Sequence, residues 1–169
     1  MIKSFLCALI ALFVGAAHAE QVCRDDILAT APDSRFQDQG NGTVTDLATG
    51  LIWKQCAEGL SGAGCASGSA AAFTWPKALQ HAEAAVFAGS DRWRLPNKKE
   101  LASLVEQRCY DPAINERYFP NTPSSAAFWS SSAYAAYSGD AWAVHFRDSS
   151  VTGYGKDYAR YVRLVRAGQ

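Results

Sequence analysis

The sequence lacks an apolar run long enough to cross a bilayer. The run Phe5–Val14 falls well short of the roughly 20 residues that a membrane-spanning helix needs. It follows a single lysine and precedes Ala17–Ala19, a pattern typical of a secretory signal peptide cleaved after Ala19. No glycine stands directly before Cys7, as a lipoprotein signal would require. We therefore expect residues 1–19 to be removed and residues 20–169 to form one domain with no membrane span.

The sequence also lacks an excess of positive charge. Its 16 Lys and Arg balance 16 Asp and Glu, and cleavage of the leader removes one lysine and no acid, leaving 15 against 16. Nucleic-acid binding needs a concentrated basic surface, so a nucleic-acid partner is not expected. Near the end of the sequence, from Asp140 to Gln169, cations exceed anions by five to three.

Metal-site signatures are missing as well. No CxxC or HxxxH pair is present, so the sequence predicts neither a zinc site nor a cofactor. Cleavage leaves four cysteines, which three disulfide pairings could join. We favour Cys56 with Cys65, which bracket a glycine-rich loop, and Cys23 with Cys109. Such pairing indicates an oxidising compartment, either periplasmic or on the cell surface, and leaves no thiol nucleophile.

Calcium-loop spacing is absent too. Asp38, Asn41 and Asp46 lack the spacing and terminal glutamate of an EF-hand, and the Glu-Pro-Asn and Trp-Asn-Asp motifs of calcium-dependent lectins are missing. These polar residues are better explained as turn formers. Together with the alternating pattern of 34–56, they predict a three-stranded antiparallel meander.

The first of two predicted helices begins near Thr74. Thr74 is a suitable N-cap, and Pro76 lies in the opening turn. Three apolar residues at helical spacing predict one buried face: Leu79, Ala82 and Val86.

The second predicted helix has a sharper start. Asn97 can cap it while Glu100, three residues later, reaches back to the cap. Its buried stripe is predicted to be Leu101, Leu104 and Val105.

Four charged or titratable residues are assigned structural positions rather than sites. His81 is predicted to be a surface or boundary residue without a partner, since no second ligand stands at helical spacing. Arginines beside apolar core residues are predicted to pair with carboxylates or to line a sheet edge: Arg94, Arg163 and Arg166.

The segment "AWAVHFRD" alternates strictly, as a strand with two different faces does. One face is predicted to be core and carries Trp142, Val144 and Phe146. The other is predicted to be an open floor of small residues, Ala141 and Ala143, on which His145 and Arg147 stand. In the preceding "FWSSSAY", Phe128 and Trp129 are predicted core residues.

Six segments, taken in order, resemble the Lcl C-terminal domain family, which is named for a bacterial collagen-like adhesin. They are "SRFQDQGNGTVTDLATGLIW", "DRWRLPNKKEL", "CYDPAIN", "FWSSSAY", "AWAVHF" and "YVRLVR". The resemblance implies an α+β fold of the C-type-lectin-like kind, with a twisted antiparallel core, two helices and long loops. In the adhesin this domain is associated with trimers and with sulfated glycosaminoglycans. No Gly-X-Y collagen repeat is present here, and nothing in the sequence supports an oligomer.

The function expected from this reasoning is that of a non-catalytic binding module. Cations suited to sulfate or carboxylate lie among tyrosines in Gly/Ser/Asp-rich loops, which favours a calcium-independent site for an acidic or sulfated glycan. The predicted ligand-binding residues are Tyr134, Tyr137, His145, Arg147, Tyr154, Lys156, Tyr158 and Arg160. One alternative is an envelope component that binds a protein. A more remote one is an enzyme related to the formylglycine-generating fold, which paired cysteines and two unrelated histidines disfavour.

Overall fold

A computed structural model of the protein describes residues 21–168. The predicted signal peptide, residues 1–19, lies outside these residues. Within them the helices are α1 (Trp75–Glu83) and α2 (Lys98–Ala102). The thirteen strands described are β1 (Val22–Cys23), β2 (Phe36–Asp38), β3 (Thr43–Asp46), β4 (Leu51–Lys54), β5 (Leu60–Ser61), β6 (Ser67–Gly68), β7 (Ala72–Phe73), β8 (Cys109–Tyr110), β9 (Phe128–Ala133), β10 (Asp140–Val144), β11 (Val151–Gly155), β12 (Arg160–Tyr161) and β13 (Val165–Ala167).

Strands β2, β3 and β4 form the predicted meander, and β13 adds to it to give an antiparallel sheet of order β13-β4-β3-β2. The turns are built by short polar side chains. Asp38 Oδ1 accepts a hydrogen bond from the Gly40 N–H at 2.8 Å, and Asn41 Oδ1 accepts one from the Thr43 N–H at 3.1 Å. The turn interpretation of these residues therefore agrees with the structure.

A five-stranded sheet of order β11-β10-β9-β12-β7 forms the second layer. Its neighbours are antiparallel except β12 and β9, which are parallel. In the β10–β11 pair Ala141 lies opposite Tyr154 and Trp142 opposite Gly153. Two short pairs, β1–β8 and β5–β6, complete an α+β structure that is mostly antiparallel, as predicted.

Both faces of the five-stranded sheet are covered near β10. Val144 and Phe128 join a buried cluster that also contains Val44 and Trp53 of the four-stranded sheet and Leu101 of α2. On the opposite face, the β10 residues Ala141 and Ala143 belong to a buried cluster with the α1 residues Ala78 and Ala82. The predicted open floor of small residues is therefore wrong. Alanines there allow α1 to approach the sheet closely, which leaves no room for a ligand.

The helices begin as the sequence predicts. Thr74 precedes α1, and Pro76 lies in its first turn. Asn97 Oδ1 accepts from the Glu100 N–H at 2.9 Å, and Glu100 Oε2 accepts from the Asn97 N–H at 2.7 Å, which completes a capping box. The prediction that Val86 belongs to the buried face of α1 is wrong, because Val86 lies beyond Glu83 and is 77% exposed.

Both predicted disulfides are confirmed, Cys23–Cys109 and Cys56–Cys65. Two intramolecular disulfides in a chain of this size fit an extracytoplasmic, oxidising environment. Within residues 21–168, no helix combines the length and apolar character that a bilayer crossing demands.

Arg94 and Arg166 occupy structural positions of the predicted kind, whereas Arg163 is buried between the sheets instead of pairing with a carboxylate or lining a sheet edge. Arg163 is fully buried, where it donates hydrogen bonds to the Gln55 carbonyl and, at 2.7 Å, to Thr122 Oγ1. Burial lowers the pKa of Arg163 to about 9, so the side chain is still charged at neutral pH. Arg94 pairs with Glu100 at 2.8 Å, and Arg166 lies over the Trp93 ring.

His81 differs from its prediction because it has partners. Its Nε2 lies 2.7 Å from Glu58 Oε2, and its ring stacks on Phe73 with centroids 4.6 Å apart. Lys54 Nζ contacts the other oxygen of the same carboxylate at 2.7 Å. The sequence could not show this contact, because Glu58 belongs to the glycine-rich loop and not to the helix.

Candidate binding site

Aromatic and cationic side chains gather at one end of the five-stranded sheet, where β10 begins and β11 ends. We call this region the aromatic end. Both helices also start there. The Trp75 N–H of α1 donates to the Lys156 carbonyl at 2.9 Å, and the Lys98 N–H of α2 donates to Ser132 Oγ at 3.0 Å. The helices therefore fix the loops on either side of the sheet.

On the face covered by α1 lies a cluster that we call the α1-side cluster: Trp75, Tyr154, Lys156, Tyr158 and Arg160. Lys156 Nζ lies 4.8 Å from the centroid of the Trp75 ring. Arg160 Cζ lies 4.3 Å from the ring centroid of Tyr154 and 5.6 Å from that of Tyr158. These distances are those of cation–π contacts, so each cation is held against a ring rather than free in solvent.

On the opposite face lies the α2-side cluster: Lys98, Tyr134, Tyr137 and Trp142. Lys98 Nζ lies 3.9 Å from the Trp142 ring centroid, and the Tyr134 ring meets Trp142 edge-on at 4.5 Å. Tyr137 stacks on Tyr134 at 5.9 Å. Tyr134 packs against Gly153, where a Cβ would lie only 3.0 Å from the ring, so any larger residue would crowd this contact.

Within residues 21–168, the cations of the aromatic end have no carboxylate partner. Among the residues that the structure describes, no acidic side chain lies within 4.0 Å of Lys98, Lys156 or Arg160. Two acids, Asp140 and Asp157, belong to the same end of the sheet, so its net charge is only slightly positive. Lys156 also donates to the Ser138 carbonyl at 2.6 Å, which orients it.

His145 and Arg147, two of the predicted site residues, lie at the other end of β10. His145 lies five positions after Asp140, which corresponds to roughly 17 Å along a strand. There the Arg147 N–H donates to His145 Nδ1 at 3.2 Å. Hydrogen bonds from Ser150, with the charge of His145, lower the pKa of Asp148 in the same turn. The structure thus brings the other predicted residues to the aromatic end and separates this pair from them.

Three residues of the aromatic end were not among those predicted: Trp75, Lys98 and Trp142. Trp142 is predicted to be a core residue, but it is only half-buried. Its ring is covered by the Tyr134 and Lys98 side chains and not by the core. Trp75 and Lys98 come from distant segments and stand at the first position of each helix. The sequence predicts Tyr154 in a loop, but it lies in β11, opposite Ala141.

A groove of about 430 Å³ lies elsewhere, between the glycine-rich loop and residues 111–124. Its charged lining consists of the carboxylates Asp111 and Glu116, with no lysine, arginine or histidine among the described lining residues. Such a groove does not favour an anion. Among residues 21–168, no group of three or more His, Cys, Asp or Glu side chains is arranged to hold a metal ion.

Comparison with known proteins agrees with the resemblance seen in the sequence. The model of the Lcl C-terminal domain, an adhesin-associated family, matches residues 42–166. The match extends from β3 to β13 and includes the whole aromatic end. A search of curated proteins gives no match.

Proposed function

Since the chain belongs to the Lcl C-terminal domain family, we propose that it is a secreted, non-catalytic protein that binds an acidic or sulfated glycan at the aromatic end without calcium. One observation carries the proposal: Lys98, Lys156 and Arg160 are each held over an aromatic ring and paired with no described carboxylate. Lys156 and Arg160 each donate one hydrogen bond to a backbone carbonyl, of Ser138 and Ala159, and their remaining N–H groups, with those of Lys98, can bind an anion supplied by a ligand.

The chemistry of this surface suits a charged sugar. Ammonium and guanidinium groups form charge-assisted hydrogen bonds with sulfate and carboxylate oxygens. Tyrosine rings add rigid contact area with a hydroxyl at the edge. Tyr137 and Tyr158 are 67% and 59% exposed, so each offers most of its ring to a ligand.

The chemistry expected of an enzyme has little support. All four described cysteines are in disulfides, and no thiolate is left as a nucleophile. His81 is engaged with Glu58, whereas His145 lies on a different element beside Arg147. Neither histidine has a hydroxyl or thiol partner among its described contacts.

The affinity of one site is expected to be modest. A partly exposed charge pair contributes about 0.2 to 1 kcal/mol. Three cations therefore supply at most about 3 kcal/mol, and the remainder must come from ring contacts. Because the contribution is electrostatic, binding weakens as salt screens the charges, with a Debye length of about 8 Å at physiological ionic strength.

Heparin chromatography and a glycan array test the proposal. We expect the wild-type protein to be retained on heparin at low salt, to elute as salt rises and to be unaffected by EDTA. Lys156→Ala and Lys98→Ala should elute earlier, each reporting on one face. Arg147→Ala removes the same charge at the far end of β10 and serves as the matched control. Equal melting temperatures are required of all variants.

The outcomes are distinct. Elution of the wild type with the void volume and an array without signal contradict glycan binding. If Arg147→Ala and Lys156→Ala reduce retention on heparin equally, the aromatic end is not the binding site. Loss of retention on EDTA treatment contradicts calcium independence.

A protein partner at the same surface is the second candidate. The exposure of Tyr137 and Tyr158 favours it, because tyrosine is enriched in protein interfaces. A pull-down from envelope extract with the wild type and with Tyr137→Ala tests it. Capture of the same protein by both would exclude this surface.

A further inference from the structure

Strand β11 (Val151–Gly155) is an edge of the five-stranded sheet. Two bonds fix which of its backbone groups face β10: the His145 N–H donates to the Ser150 carbonyl at 2.8 Å, and the Lys156 N–H donates to the Gly139 carbonyl at 2.9 Å. In an antiparallel pair the bonded positions alternate. The backbone N–H and C=O groups of Thr152 and Tyr154 therefore form hydrogen bonds with β10, and those of Val151 and Gly153 point away from it.

These outward groups form an unprotected edge. In the part of the chain that the structure describes, no hydrogen bond is found for the backbone N–H or C=O of Val151 or Gly153 on the side away from β10. Natural edge strands are usually blocked by lysine, proline, a bulge or a covering segment. Residues 151–155 contain no charge and no proline, and their pairing with β10 runs without a register shift. An edge of this kind is a template for another strand.

We propose that β11 pairs with β11 of a second copy of this chain, antiparallel, about a two-fold axis at Gly153. The sequence Val-Thr-Gly-Tyr-Gly complements itself in this register. Gly153 meets Gly153 of the second copy, where neither carries a side chain. Thr152 lies opposite Tyr154 of the second copy, a β-branched and aromatic pair of the kind that stabilises sheets.

The same register places Ser150 opposite Lys156 of the second copy. Lys156 is the only charged residue in 150–156, so no two like charges face each other across the paired strands. The result is one continuous sheet through both copies, with an aromatic end at each side of the axis.

Sedimentation velocity over a dilution series tests the pairing. The protein is produced with its own leader and purified after export. The interface is small, so we expect the apparent mass to rise from that of one chain towards twice that mass with concentration. Val151→Pro removes an outward N–H and leaves the inward bonds intact, and Val151→Lys places a charged side chain on the edge strand, a substitution of the kind that blocks edge pairing. Both should stay at the mass of one chain. Val86→Lys introduces the same charge at an exposed position outside the sheets and should behave as the wild type.

A second measurement locates the interface independently of these variants. A nitroxide on Thr152→Cys should show dipolar broadening that is lost on dilution, and one on Val86→Cys should show none. A wild type that stays at one chain mass at every concentration overturns the proposal, whether or not it binds heparin. So does a dimer that persists in both Val151 variants. Capture of an extended peptide from another protein by a monomeric wild type also overturns it and assigns the edge to a different partner.

Discussion

Buried charges in this protein are matched by specific partners, residue by residue. The Asp46 side chain is fully buried in the meander, and Arg35 donates to its two oxygens at 2.8 and 2.5 Å. Thr49 Oγ1 and the Ala48 N–H also donate to Asp46. Arg35 in turn donates to the Ser103 carbonyl at 2.6 Å, just after α2. One ion pair therefore joins the meander to the second helix.

Replacing Asp46 by Asn should be costly, because it leaves the largely buried Arg35 charge without its counter-ion. Removal of one partner of a buried pair costs about 3 kcal/mol or more. Urea unfolding at pH 7 measures the loss. Asp26→Asn, which breaks the exposed Arg24–Asp26 pair, is the matched control and should change stability little. Similar losses in the two variants would contradict this account.

The same carboxylate predicts a pH dependence. Burial opposes ionisation of Asp46, but hydrogen bonds from Arg35 and Thr49 outweigh it and lower the pKa below its ordinary value. The native state thus binds fewer protons than the unfolded chain near pH 4. The stabilisation is present above the unfolded pKa of about 4 and is lost as pH falls through the lower folded pKa. At pH values below about 4, we expect the melting temperature of the wild type to decrease with pH more steeply than that of Asp46→Asn. Parallel plots of melting temperature against pH would contradict this role of Asp46.

At the scale of elements, local signals define where segments begin. Helix α2 has only five residues, so its capping box satisfies much of its free backbone. The turns of the meander and the cap of α2 could be predicted because the interacting residues lie within a few positions of one another. Elements whose partners are distant could not. Alternation along β10 shows that it has two faces, but not that α1 covers the alanine face.

The same limit applies to the candidate site. Tyr154, Lys156, Tyr158 and Arg160 were predicted together because one segment carries them. Trp75 and Lys98 were not predicted because they are far from the site in sequence. Trp75 lies 79 positions before Tyr154, and Lys98 lies 42 positions before Asp140. Arg147 follows the end of β10 that is distant from the aromatic end. The extended strand between Asp140 and Val144 keeps it away from the other predicted residues.

Loss of the cap should weaken α2 by a defined amount. Asn97→Ala removes the acceptor for the Glu100 N–H and should cost about 1 kcal/mol. Asn97→Asp keeps an acceptor and should retain most of the stability. Urea unfolding of both variants measures the difference, and equal stability of the two would show that the cap contributes nothing.

At the scale of the whole molecule, the two disulfides have different reach. Cys23–Cys109 joins residues 86 positions apart and ties β1 to β8, whereas Cys56–Cys65 closes a loop of nine positions. Loop-closure entropy grows with the logarithm of loop length, so the longer bridge constrains the unfolded chain more.

Removal of the long bridge should therefore be the more costly change. Loop closure predicts a loss of about 4.5 kcal/mol for Cys23→Ser with Cys109→Ser, and about 3 kcal/mol for Cys56→Ser with Cys65→Ser. Melting temperatures and urea unfolding of the two double variants give the order. A larger loss from the short bridge would show that native packing of the glycine-rich loop dominates over chain entropy.

The segment 160–167 contributes to both layers within eight residues. β12 pairs with β9 and β7 in one sheet, β13 pairs with β4 in the other, and the buried Arg163 lies between them. A chain that emerges N-terminus first, from the ribosome or an export channel, therefore cannot close either layer until this segment is out. During that interval β4 and β9 each lack a neighbour, while Cys56 and Cys65 have long since emerged and can already join. The topology therefore allows the local loop to be oxidised before either sheet is complete, and it makes completion of both sheets depend on the same C-terminal segment.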